Sequence, residues 1–202
     1  MRIRINMVGR PRSIDRDAVL DAAQAVVARD GAGQLTLDAV ALEAGISKAS
    51  VLYDYKTKQA LIKALVERRI ASENAKIQEI ETRLGPVPNI AIRAQLSSEL
   101  QERSDEDRAV MLGLCAVVAQ DADLRHPVQD MIAQRIAHVS ETSETPRGPL
   151  LAFLALEGLK ALEWLGLHQW PVEERKRLLS EIRWLVDQTP KECPCDKVTD
   201  SS

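Results

Sequence analysis

The sequence predicts an all-α protein: an N-terminal three-helix unit containing a helix–turn–helix, joined by a long fourth helix to a helical C-terminal domain. Three observations carry this expectation. Apolar residues make up 45% of the 202 residues and aromatics only 3%, so a core is available and it is aliphatic. Such compositions favour helices packed through Ala and Leu side chains. Apolar positions recur at helical spacing, and no stretch alternates as a strand would. The periodic stretches are separated by Gly/Pro punctuation, as at Gly85-Pro86-Val87-Pro88 and residues 145–149.

Residues 1–13 read as a basic flexible arm; Arg2, Arg4, Arg10, Arg12 and Arg16 all fall in the first sixteen positions. Ser13 or Asp15 can cap helix 1, which Gly31 and Gly33 end near Asp30. Thr36 can cap helix 2 (37–44), because its hydroxyl accepts a bond from an orphan N–H one turn on. Leu37, Val40, Ala41 and Ala44 share one face, and Gly45 follows where a positive φ is wanted. Ser47 can cap helix 3 (48–53), with Val51, Leu52 and Tyr55 inward and Lys48, Ala49, Ser50 and Tyr53 outward. Thr57 can cap a long helix 4 (58–84). Its first turns carry Leu61, Ile62, Leu65 and Val66 into one core, and its second half carries Ile70, Ile77, Ile80 and Leu84 into another. A helix rooted in two cores can act as a lever.

Asn89 can cap helix 5 (90–102). Ser104 with Asp105, Glu106 and Asp107 reads as a capping box on helix 6, which runs to about Gln120. Residues 121–127 read as a loop, with His126-Pro127 opening helix 7. Helix 8 (150–168) is apolar nearly all round, and Pro171 starts helix 9 with its stripe of Leu178, Leu179, Ile182, Leu185 and Val186. From Pro190 the chain reads as a disordered tail (190–202).

Charge and chemistry narrow the function. The net charge of −3 argues against a nucleic-acid partner until the chain is divided. Residues 1–72 hold 12 Lys+Arg against 8 Asp+Glu, a net +4; residues 73–202 hold 15 against 22, a net −7. The positive half is the half with the helix–turn–helix, and a basic arm beside such a motif can bind phosphates or enter a narrow minor groove. No nucleophile–base arrangement, phosphate-cradling loop or metal-ligand spacing is present, so no catalytic residue, metal or cofactor is expected. Cys115 reads as a core thiol and Cys193-Pro194-Cys195 as an exposed pair, since structural zinc wants four ligands. No apolar run could cross a membrane and no signal peptide is recognisable, so a cytoplasmic protein is expected. Glu157, in an apolar helix, can pair with Lys160 or reach a cavity.

On its own, a hairpin with a polar outer face also fits an ordinary helical pair. The surrounding residues add to it: the arm Gly9-Arg10-Pro11-Arg12; Val19, Ala22, Ala23, Val26 and Val27 of helix 1; the T-L-x-x-V-A-x-x-A-G-I-S run of residues 36–47; K-x-S-x-x-Y-x-Y-K-x-K over residues 48–58; and Ala60-Leu61. Over residues 10–69 the chain resembles the DNA-binding domain of the TetR family of bacterial transcriptional regulators. It departs from that family at Leu52, where a backbone-touching Tyr is usual, and at Asp54, where His is frequent, so no DNA contact is carried onto either.

The resemblance implies a DNA-binding domain at residues 14–69 and a helical ligand-binding and dimerisation domain at 70–189. The expected contacts to double-stranded DNA are Arg10, Arg12, Thr36, Ser47, Lys48, Ala49, Ser50, Tyr53, Tyr55, Lys56 and Lys58. Ser50 and Tyr53 lead as base readers, with Lys48 on a base or phosphate, and Thr36, Ser47, Tyr55, Lys56 and Lys58 position the backbone. A helix apolar all round must be covered on more than one side. Helices 8 and 9 are therefore the expected homodimer interface, through Leu151, Leu154, Leu162, Leu165, Leu178, Ile182 and Leu185. The family carries a cavity among helices 4 to 8. Here Met111, Leu112, Cys115, Met131, Phe153 and Trp164 would line it, a surface suited to a small apolar or aromatic ligand. Three functions fit: a repressor that binds a palindromic operator and is released by such a ligand, a DNA-binding regulator without a small ligand, and a helical ligand-binding protein or enzyme with an incidental helix–turn–helix.

Overall fold

In the computed structural model, which describes residues 16–101 and 103–190, nine α-helices and one 3-10 turn account for the regular structure among the described residues. The helices are α1 (Arg16–Asp30), α2 (Leu37–Glu43), α3 (Lys48–Asp54), α4 (Lys58–Leu84), α5 (Ile90–Ser98), α6 (Asp105–Gln120), α7 (Ala122–Glu141), α8 (Arg147–Trp164) and α9 (Val172–Val186). The basic arm, with Arg10 and Arg12, and the two tail cysteines lie outside the described residues.

Local capping sets most of the boundaries. The hydroxyls of Thr36, Ser47, Thr57 and Ser104 accept from Ala39, Ser50, Ala60 and Asp107 N–H. Each bond satisfies a donor that has no intrahelical partner, worth about 1 kcal/mol. Gly45 adopts φ 64°, and the N–H groups of Gly45 and Ile46 return to the carbonyls of Leu42 and Ala41. That closes α2 and turns Ile46 inward. Gly166 (φ 65°) does the same for α8, with Leu167 N–H on the Leu162 carbonyl, and so ends the helix at Trp164 rather than His168.

Other boundaries and caps also differ from expectation, among them the start of α8, at Arg147 rather than 150. Helix α7 starts at Ala122, not after Pro127, because the Asp121 carboxylate accepts from the N–H groups of Asp123 and Leu124. Leu124, 3% exposed, anchors that first turn in the core, so Pro127 is carried inside the helix. Helix α5 ends at Ser98 because Glu99 is drawn into ion pairs with Arg103 and Arg175. Asn89 sits at the start of α5 with φ 58° and makes no side-chain cap; its N–H donates instead to the Thr142 carbonyl.

Two cores result. The first gathers Val19, Val26, Leu35, Val40, Val51, Tyr55, Leu61 and Leu65 from α1–α4, but it also takes Val110 and Leu114 from α6 and Leu124 from α7. The second packs Ile92 and Leu96 of α5, Val139 of α7, Phe153 and Leu156 of α8, and Leu179 and Val186 of α9. Helix α4 spans about 40 Å at 1.5 Å per residue and packs against α1, α5 and α7. Gly148, at the start of α8, lies so near the end of α9 that a Cβ there would stand 2.1 Å from the Gln188 carbonyl oxygen. No described helix is long and apolar enough to cross a membrane.

Candidate nucleic-acid interface and ligand cavity

The outer face of α3 is open. Lys48, Ala49, Leu52 and Tyr53 are exposed, Tyr53 at 83%. Leu52, expected inward, is 38% exposed. The packing stripe of so short a helix is narrow, and Val51 and Tyr55 fill it. Tyr55 thereby leaves the expected set of backbone contacts: it is 9% exposed, and burial pushes its phenol above the usual range. Ser50 is half-buried, and its hydroxyl shares a hydrogen bond with that of Ser47 at 2.8 Å. The Lys48 ammonium donates to Asp38 of α2 at 2.7 Å, tying the two helices of the motif together on their exposed side. Thr36 and Lys56 are exposed. The Lys58 ammonium, expected on a phosphate, donates to the Gly33 carbonyl at 2.6 Å and pins the turn after α1 to the start of α4.

Asp54 is the residue whose charge would most oppose a phosphate. Its side chain is only 7% exposed and accepts from Arg16 Nε at 3.0 Å. The hydrogen bond that Arg16 donates to Asp54, and then the charge of Asp54, hold the Arg16 guanidinium above its usual range. The carboxylate is thus paired and turned from the open face.

Between α4, α6, α7 and α8 lies a cavity of 130 Å³. Met111, Cys115, Met131 and Trp164 line it, with Val66, Ile70, Leu114, Val118 and Val128. Two expected residues are elsewhere. Leu112 is 46% exposed, because α6 turns its neighbours Val110 and Met111 inward and leaves position 112 outside. Phe153 is 2% exposed and packs in the second core. Burial pushes the Cys115 thiol up, and Arg69 offsets this only in part.

One side of the cavity is ionic, which no local pattern except the 157/160 spacing signalled. Lys160, 2% exposed, donates to Glu157 at 2.7 Å and lies 3.9 Å from Glu73. Arg135 lies 3.6 Å from Glu73 and donates to Asn74 at 3.1 Å. Burial, the largest influence, would push the Glu73 carboxyl up; Lys160, Arg135, Arg103 and Arg69 outweigh it and hold the group below the usual carboxylate range. The charges neutralise one another, and the surface they leave to the cavity is almost wholly carbon.

The expected association face divides between the two last helices. On α8 and the residue that caps it, Leu154, Leu162 and Leu165 are 62%, 39% and 44% exposed, with Ala155, Gly158 and Ala161 exposed among them and Leu151 half-buried. On α9, Leu178, Ile182 and Leu185 are half-buried against the chain's own second core, while Trp184, which the sequence reading missed, is 65% exposed.

A protein-family model described as Bacterial regulatory proteins, tetR family, matches residues 19–65, and a second, described as Tetracyclin repressor-like, C-terminal domain, matches residues 89–187. Among solved structures, a transcriptional regulator from Rhodococcus sp. Rha1 is 23% identical, with TM-score 0.68, covering 84% of this chain and 94% of that one. A member of the TetR family from Streptomyces coelicolor A3 is 20% identical, with TM-score 0.60 and coverage of 83% and 96%. The multidrug binding protein EbrR, complexed with ethidium, is 18% identical, with TM-score 0.63 and coverage of 83% and 97%. No curated protein matches the chain.

Proposed function

Because the chain belongs to the TetR family of bacterial regulators, we propose that it is a homodimeric repressor, acting in the cytoplasm, that a small apolar ligand releases from a palindromic operator. One observation carries the ligand-release part of this reading. Helix α6 has one side in the helix–turn–helix core, through Val110 and Leu114, and another in the cavity wall, through Met111, Cys115 and Val118. A ligand that spreads the cavity must displace a helix on which the DNA-binding unit is packed. Interiors are close-packed, so such a shift is passed on rather than absorbed.

In the proposed complex the Leu154, Leu162 and Leu165 faces of two α8 helices meet about a two-fold axis, with Ala155, Gly158 and Ala161 allowing close approach. The two α3 helices then lie about 34–36 Å apart, or a multiple of that, over matching half-sites. Tyr53, Lys48 and Ser50 read the major groove, while Thr36, Ser47, Lys56 and the arm residues Arg10 and Arg12 hold the backbone. The cavity is close in size to one of about 150 Å³ that stays dry and admits benzene. Its occupant is therefore a single-ring or short aliphatic molecule. Differential affinity of ~1–3 kcal/mol for the two states would weaken operator binding about 5- to 150-fold.

The test is binding of the purified chain to its own promoter fragment at two salt concentrations, beside an unrelated fragment. A specific complex with two chains per site that survives the higher salt is expected. Equal, salt-labile binding to both fragments would reject the repressor reading for that promoter. Leu162→Glu should leave monomers that no longer bind specifically, and a Leu162→Glu chain that remains dimeric would remove α8 from the interface.

A further inference from the structure

The polar side chains around the outer face of α3 are engaged within the motif itself. The Lys48 ammonium lies 2.7 Å from the Asp38 carboxylate, the Ser50 hydroxyl 2.8 Å from that of Ser47, and the Asp54 carboxylate 3.0 Å from Arg16 Nε. What α3 presents beside them is largely carbon: Ala49, Leu52 and Tyr53 are all exposed. At 3.6 residues per turn, Ala49 stands about 60° from Leu52 and about 40° from Tyr53 round the helix axis, with one of the larger side chains on either side of it. Residues three and four apart on a helix are surface neighbours. The small Ala49 is therefore the floor of a shallow notch whose walls are Leu52 and Tyr53. Val51 and Tyr55, buried in the first core, hold this face outward.

The first 72 residues carry 12 Lys+Arg against 8 Asp+Glu, which favours a polyanion over a second protein as what meets this face. In a major groove the base-pair edges carry hydrogen-bonding atoms, and the one hydrocarbon group among them is the 5-methyl of thymine. A leucine set against any other edge desolvates a donor or acceptor and returns no hydrogen bond. Against the methyl it buries carbon on carbon.

Resting on the reading of α3 as the recognition helix, we propose that Ala49, Leu52 and Tyr53 form a methyl-reading notch, with Leu52 as a specificity-determining residue that requires a thymine in each operator half-site. Leu52 has no charge to give a phosphate and no hydrogen bond to give a base. Its whole contribution to DNA binding is then the contact with that methyl, and it discriminates thymine from a base of the same pairing that lacks it.

The test uses duplexes that the full chain enriches from a random-sequence pool, each copied once with dTTP and once with dUTP. The uracil copy keeps the pairing and loses every 5-methyl. With one buried methyl lost from each of two half-sites, binding to the uracil copy should be weaker by about fivefold or more. A methyl contact releases no counterion, so the ratio should be the same at two salt concentrations. An unrelated duplex copied both ways should bind equally. Leu52→Ala should bring the thymine-to-uracil ratio down to about half or less, while its melting temperature and its binding to unrelated DNA stay near those of the unaltered chain. Equal affinity of the unaltered chain for the two copies, or a Leu52→Ala chain that keeps the full ratio, would overturn the proposal and leave the repressor reading standing. A pool from which no sequence is enriched would reject both.

Discussion

Gly113 of α6 lies against Val27 of α1: a Cβ at Gly113 would come within 3.1 Å of Val27 Cγ1 and 3.3 Å of the Ala32 backbone nitrogen. This contact joins the cavity helix to the DNA-binding unit at a place where only hydrogen fits without movement. Gly113→Ala should push α6 away from α1 and the 3-10 turn at Ala32–Gln34. The expected loss is about 1–3 kcal/mol, as for other overpacked cores, read from denaturant unfolding. A stabilised variant would show that the helix-propensity gain of Ala outweighs the contact.

Tyr53 and Tyr55 separate reading from folding. Tyr53 is 83% exposed and Tyr55 is in the core. Tyr53→Ala should leave stability within about 0.5 kcal/mol and abolish discrimination between operator and unrelated DNA. Tyr55→Ala should cost about 3–5 kcal/mol, as other large aromatic truncations do. If Tyr53→Ala retains full operator specificity, α3 does not read bases through that side chain.

Lys56 and Lys58 divide in the same way. Exposed Lys56 is placed to meet a phosphate, whereas Lys58 is engaged with the Gly33 carbonyl. Lys56→Ala should reduce the slope of log K against log salt by ~1. Lys58→Ala should change that slope less and lower the melting temperature more. A larger slope change for Lys58 than for Lys56 would mean that its bond to Gly33 is exchanged for phosphate on binding.

Glu73 links the cavity wall to acid stability. Its folded carboxyl titrates below the usual range despite burial, because Lys160, Arg135, Arg103 and Arg69 surround it. In the unfolded chain a Glu titrates at about 4.3. As pH falls, the unfolded chain therefore takes up the proton first. The stabilisation is complete above the unfolded value, shrinks as pH falls toward the folded value, and is gone below both. Glu73→Gln should cost about 3 kcal/mol near neutrality, and its gap from the unaltered chain should close as pH falls below the unfolded value. A gap that persists unchanged to pH 3 would show that the loss is one of packing, not charge.

Much of this molecule is legible in one dimension because caps and stops are local. Thr36, Ser47, Thr57 and Ser104 bond N–H groups three residues away, and Gly45 supplies its own positive φ, so the starts of α2, α3, α4 and α6 and the turn of the motif need no distant partner. The same is true of the basic first half and of the residues by which the chain resembles its family. The helical architecture, the helix–turn–helix and the family are thus written in the order of residues alone. Which side of each element is used depends on how the helices pack. Packing sent Tyr55 inward and Leu52 outward, took Lys58 from the open face, turned Leu112 to solvent and moved Phe153 to the second core. It also assembled Glu73, Arg135 and Lys160. Those residues come from α3, α4, α6, α7, α8 and the chain around them, and no periodicity along a helix records which neighbour its face will meet. Burial and pairing are properties of the packed whole, because a charge or an N–H has its cost set by what surrounds it, not by what precedes it in the chain.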